Sequence, residues 1–236
     1  MSARAPGHSA APAAFLHRCA AWSIDMALLL VAVLLACASR IHDGVVRIAA
    51  AFDALVQSMA RDMVDLLLPG GTPTALAQRW LAEPHMRETI TALSDAIAAT
   101  VLPPLLLLTV LALAWFTLFE SSPWQATPGK RLLGLRVVDA AGARVGPARA
   151  ALRHLAGALS WLTLNLGHLL ALVPPRRQAL HDRIARTRVM QEDADAKLPA
   201  WAAAWLLLQA LAAVAATAWL FIATQAAMQR AFDALL

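Results

Sequence analysis

The stretch RCAAWSIDMALLLVAVLLACAS, residues 18–39, decides how the rest of the chain is read. It is long and apolar enough to cross a bilayer as one α-helix, yet it carries Arg18 at its mouth and Asp25 inside it. Seven positions separate the two, which is two helical turns, so both project from nearly one face about 10 Å apart along the axis. A charge at membrane depth costs roughly 2.5 to 3.5 kcal/mol on insertion scales, so it faces a bundle interior or a water-filled path and serves transport or helix assembly. The interior Asp25 and the long leader before it favour a retained span over a cleaved export signal.

Of 236 residues, 60% are hydrophobic and 15% charged, and the mean hydropathy of +0.60 lies outside the range of soluble domains. The 20 basic residues against 15 acidic ones bracket the apolar runs and form no stripe interleaved with aromatics. They read as topology and anionic-lipid contact, with no nucleic-acid partner. Cys19 and Cys37 stand at opposite ends of one helix, about 27 Å apart by helical rise, and cannot pair with each other.

Three runs can cross a bilayer: Cys19 to Ala38, Val101 to Phe119 and Trp201 to Thr224. A fourth, Leu155 to Val173, is interrupted by Asn165, Gly167 and His168 and ended by Pro174 and Pro175. Residues 1–18 hold two Arg and no acid, whereas residues 39–99 hold five basic and seven acidic residues and belong outside. Residues 120–153 hold six basic and two acidic residues, and residues 174–199 hold six and four, so both flanks of the fourth run read as cytoplasmic. That favours a broken, re-entrant hairpin with its tip at Asn165 to His168 over a fourth ordinary crossing.

The 39–99 connection repeats Val45, Ile48, Phe52, Leu55, Met59, Met63 and Leu66 at helical spacing, which predicts an amphipathic helix. After the breaker PGGTPT a second pattern runs through Leu76 and Trp80, is punctuated at Pro84 and continues into the second span, with Pro103 and Pro104 expected to kink its entry. The segment TPGKRLLGLRVVDAAGARVG, residues 127–146, alternates Leu133, Leu135 and Val137 into a DAAG turn, predicting a short cytoplasmic β-hairpin. Thr127, Gly129 and Lys130 lack the spacing and context of a phosphate-binding loop and read as a structural turn. The expected fold is an all-α membrane protein: a small bundle of three to four transmembrane segments, with the extracytoplasmic helical insert at 39–99 and the cytoplasmic hairpin. Its parts are a cytoplasmic tail at 1–17, a membrane domain at 18–190, and a linker with the C-terminal transmembrane helix at 191–236.

No cofactor or metal site is read from the residues. His154 and His168 would lie about 21 Å apart on a continuous helix, no HExxH or CxxC occurs, and candidate catalytic groups are scattered, so no enzyme is expected.

An Arg opening the first span, an Asp within it, the TPGKRLLGLRVVD loop with Gly134 and Arg136, and the downstream LHDRIARTRVM together resemble the RDD family of bacterial membrane proteins. Residues 15–38 and 115–190 carry the resemblance. It implies that Arg18, Asp25 and Asp182 are the family's namesake Arg and two Asp, and it implies a bacterial inner-membrane location with a cytoplasmic N-terminus. Family members commonly place Gly after HDxxA, where this chain has Arg186. A transport role is ascribed to the family, with sodium or proton antiport for some members.

Two readings follow. In the first, Arg18 and Asp25 form a structural polar pair, with His181 and Glu120 in support, in a membrane assembly or partner-binding subunit that contacts anionic headgroups and another membrane protein or its own copy. In the second, Asp25 is the ion-binding carboxylate of a proton- or sodium-coupled transporter, Arg18 biases its ionisation and Asp182 gates the approach.

Overall fold

The structure, a computed structural model, describes residues 10–67, 70–163 and 165–235. The first part of the expected N-terminal tail and the Pro69 of the PGGTPT breaker lie outside the described residues. In chain order the elements are β1 (Ala11–Pro12), α1 (Phe15–Ala36), α2 (Ala38–Leu67), α3 (Pro73–Ala82), α4 (Pro84–Ser121), α5 (Pro128–Leu132), β2 (Leu135–Asp139), α6 (Pro147–Leu162), α7 (Leu166–Leu169), a 3₁₀ turn (Leu170–Leu172), α8 (Leu180–Ile184), β3 (Thr187–Gln191) and α9 (Ala200–Asp233). The chain is an all-α membrane protein with one small sheet.

Among the described residues three helices, α1, α4 and α9, are long and apolar enough to cross a bilayer. Their packing is inverted relative to a soluble protein. On α1 the small Ala20 and Ala21 are fully buried while Leu28, Leu30 and Val31 are exposed, and on α9 Val214, Trp219, Leu220, Phe221 and Ile222 all face outward. Large aliphatics outside and small residues inside is the arrangement expected where lipid replaces water as solvent.

The molecule divides into two compact units. The first comprises the described residues of Met1–Ala32 together with Leu107–Leu208. Its core gathers Ala13, Ala20 and Ala21 of the N-terminal region, Leu133, Leu135 and Val137 of the loop and β2, Val145, Ala150, Val189 and Ala202. A second cluster seats Leu29 of α1 on Ala112 and Phe116 of α4. The fourth apolar run is not one continuous helix: α6 ends, Asn165 turns the backbone into the left-handed region at φ 65°, and α8 returns to pack against α6. An Asn tolerates that conformation better than most residues, so it suits the break.

The sheet corrects the hairpin expectation. β2 pairs along its whole length with the distant β3, with Leu135 opposite Gln191 and Asp139 opposite Thr187, and β3 pairs on its other edge with β1. The DAAG turn does form, with the Asp139 carboxylate accepting from the Ala141 and Ala143 amides, but the local return is a single bridge from Val138 to Arg144. The reason lies in β3 itself: Thr187, Val189 and Gln191 alternate inward with Arg188 and Met190, and this strand offers the β2 edge five paired residues where the local return offers one bridge.

The second unit comprises the described residues of Val33–Leu106 and Gln209–Leu236. The amphipathic insert forms as a 30-residue helix, α2. Val56 and Ala60 on α2 pack with Ala231, while Val45 is 57% exposed. Pro103 and Pro104 lie inside α4 without ending it. Proline cannot donate to the carbonyl four residues back, and the Arg40 guanidinium donates to that freed Ala99 oxygen at 2.9 Å. One turn later Gly44 meets Thr100 so closely that an added Cβ would collide with its side chain. Asp62, which the sequence reading did not single out, is buried and faces Arg79 at 3.5 Å.

Candidate functional site

Asp25 is fully buried on α1, opposite the turn that begins α5. Thr127 caps that turn in extended conformation and Pro128 opens it, a pairing that presets the first helical φ where no backbone N–H is needed. The backbone amide of Gly129 donates to Asp25 Oδ1 at 2.9 Å, Trp115 Nε1 of α4 donates to the same oxygen at 3.3 Å, and the Thr127 hydroxyl donates to Oδ2. Both carboxylate oxygens are thus engaged. Gly129 is required by closeness, since an added Cβ would run into the Ala21 carbonyl and the Asp25 carboxylate. The aspartate therefore stitches the loop to the first and second spans.

A second carboxylate, Asp182, is equally buried at the first turn of α8. Arg18 reaches its Oδ2 at 2.5 Å and Arg153 of α6 reaches Oδ1 at 3.0 Å, while the Ala179 amide donates to Oδ2 at 3.0 Å. Arg153 also donates to both oxygens of Glu120 at 2.7 and 2.9 Å, and Lys130 lies 3.0 Å from Glu120. Lys130 Nζ is 3.5 Å from the Thr127 oxygen that serves Asp25. A continuous polar chain thus runs Arg18, Asp182, Arg153, Glu120, Lys130, Thr127, Asp25. The ion pairs within it join three cations, Arg18, Arg153 and Lys130, to two acids, Asp182 and Glu120.

Arg18 therefore pairs with Asp182, and among the described residues no ion pair joins it to Asp25. The expected intrahelical pair is corrected by geometry: two turns hold the groups too far apart to touch, and the Arg177 carbonyl and Asp182 accept from the two terminal nitrogens of the guanidinium instead. Glu120 serves Arg153 and Lys130, not Arg18. His181 Nε2 sits 3.3 Å from Asp182 and 3.4 Å from Arg153.

Burial works to raise the Asp182 carboxyl, yet the Arg18 and Arg153 guanidiniums outweigh it and hold the group well below the usual carboxylate range. Burial drives His181 down to about 4 against the pull of Asp182, which keeps the imidazole neutral at ordinary pH. Burial likewise lowers Lys130 against the pull of Glu120.

Gly134 turns the chain at φ 64° between α5 and β2, and its carbonyl accepts from Glu192. Arg136 lies half-buried in β2 with its Nε unpartnered among the described residues. Neither joins the network. Among the described residues no three His, Cys, Asp or Glu converge as a metal-binding group. Sequence reasoning missed Arg153 and Trp115. A signal existed for the first: Ala150, Arg153, Ala156 and Ser160 recur on one buried face of α6 while Leu152, Leu155 and Leu159 point out, so the arginine shares the face of the small residues.

A helical membrane protein whose first span is tied by buried acids to a glycine loop and a downstream His-Asp turn is the class this geometry defines. The chain belongs to the RDD family, whose pattern matches residues 12–186. It is similar to "Uncharacterized protein YxaI" of Bacillus subtilis (strain 168), at 34% identity over 89 residues. That match covers 38% of this chain and 58% of the relative, less than two thirds of its length. No solved structure matches the chain.

Proposed function

We propose that the chain is a membrane assembly or partner-binding subunit of the bacterial inner membrane, multi-pass with its N-terminus cytoplasmic, in which the buried acids are structural and no chemistry is catalysed. The observation that carries this reading is the full engagement of Asp25. Its two oxygens are taken by a hydroxyl, a backbone amide and an indole, a constellation that fixes a loop rather than leaving a carboxylate free to exchange a cation. Asp182 is clamped between two guanidiniums, which suits a lock rather than a gate. The exposed apolar faces of α4 and α9 suit lipid, a second copy or a partner helix.

A second reading, cation-coupled transport, draws on the unbroken line of alternating charges that ends one hydroxyl away from Asp25. Flux in proteoliposomes separates the two. With the structural reading, vesicles holding the wild-type protein show no sodium-driven pH change beyond empty vesicles; a sodium-driven change that Asp25→Asn abolishes establishes transport instead.

A further inference from the structure

We propose that the cavity lined by Arg176, Arg183, Arg186 and Arg188 binds the phosphate of an anionic lipid headgroup. The cavity holds about 430 Å³, within the range of small-molecule sites. These four guanidiniums are exposed at one opening and have no acidic partner among the described residues. Like charges converging on one opening repel, and a phosphate relieves that repulsion while matching the planar fork of arginine donors.

Gln178 Nε2 donates to the Thr187 carbonyl at 2.8 Å, tying the loop to β3, whose outward register presents Arg188. Arg183 stands on α8, also braced through Asp182. Arg186 adopts φ 52°, the left-handed region that glycine occupies without strain, so the backbone there is strained to carry a guanidinium at this rim.

A lipid fits better than free phosphate because the site adjoins apolar surface at the start of a span. The Arg177 carbonyl accepts from Arg18 in the first turn of α1 at 2.7 Å, and Leu172, Val173 and Ile184 beside the arginines are 55%, 54% and 41% exposed. The proposal rests on the reading that this end of the chain meets the anionic cytoplasmic leaflet.

The test follows the unfolding midpoint of the full chain in detergent micelles during titration with phosphatidylglycerol, with phosphatidylcholine of the same acyl chains, or with inorganic phosphate. Phosphatidylglycerol is expected to raise the midpoint saturably and the other two to leave it unchanged. R183Q/R188Q weakens the response by about tenfold or more in apparent Kd. R186G provides the control for folding: relieved of left-handed strain, it keeps or raises the lipid-free midpoint yet also loses affinity. An equal rise with phosphatidylcholine, or variants that respond like the wild type, overturns the site. An equal rise with inorganic phosphate overturns the lipid assignment in favour of a free anion. Labelling of a Q178C variant lacking Cys19 and Cys37 by an external thiol reagent would overturn the leaflet reading alone, because binding in micelles does not depend on orientation.

Discussion

Two buried aspartates in the same unit are held by opposite means. Asp25 is held by dipoles: an amide, an indole and a hydroxyl, with the nearest cation, Lys130, one hydroxyl removed. Asp182 is held by charge, with Arg18 and Arg153 on its two oxygens. The difference teaches that a lone acid in an apolar helix needs no matching cation nearby if the fold delivers enough donors to it. It also separates the consequences of removing each charge. Neutralising Asp25 leaves acceptors in place, whereas neutralising Asp182 removes the one carboxylate that Arg18 pairs with among the described residues and leaves Arg153 with Glu120 alone.

The largest expected effect breaks the charged side. Asp182→Asn should destabilise the protein by about 3 to 5 kcal/mol, the usual cost of breaking a buried ion pair by removing one partner, measured by reversible unfolding in mixed micelles. A loss no greater than that of an exposed polar residue would show that Arg18 and Arg153 reach solvent. Asp25→Asn should cost less, about 1 to 2 kcal/mol, because the amide oxygen still accepts from Gly129 and Trp115 and its NH₂ group faces the Thr127 oxygen. If Asp25→Asn proves the costlier change, the dipole description of its site is wrong.

The smallest effect sharpens the comparison through pH. His181 is depressed in the folded state, so its contribution to stability is complete above its unfolded value near 6.5 and is lost as pH falls toward about 4. Asp182 is depressed as well, so its share is complete above the ordinary carboxylate value and is lost only as pH falls below about 4. Stability should therefore decline in two stages, and His181→Gln should shrink the first while leaving the second. A single stage confined below pH 4 in the wild type would contradict the burial of the imidazole.

How far the sequence revealed this site depends on the range of each contact. Arg18, Asp25 and Glu120 announced themselves as charges in or beside apolar runs, Asp182 stood out only through the LHDRIARTRVM resemblance, and the three spans and the insert helix followed from length and periodicity. Partner choice did not follow. The residue that takes Arg18 is 164 positions away, and spacing along one helix suggests only neighbours on that helix. Arg153 was absorbed into a count of loop charges, although its alignment with Ala150 and Ala156 on a face of small residues marked it as inward-facing. The β2–β3 ladder was hidden in the same way, since a DAAG turn advertises a local return while the better-matched strand lies some fifty residues on.

The most direct measurement is a pair of double-mutant cycles on Arg18, using Arg18→Gln with Asp182→Asn and with Asp25→Asn, each scored by unfolding free energy. The account predicts a coupling of about 1.5 kcal/mol or more for the first pair and one within about 0.5 kcal/mol of zero for the second. Strong coupling between Arg18 and Asp25, with none between Arg18 and Asp182, would contradict it.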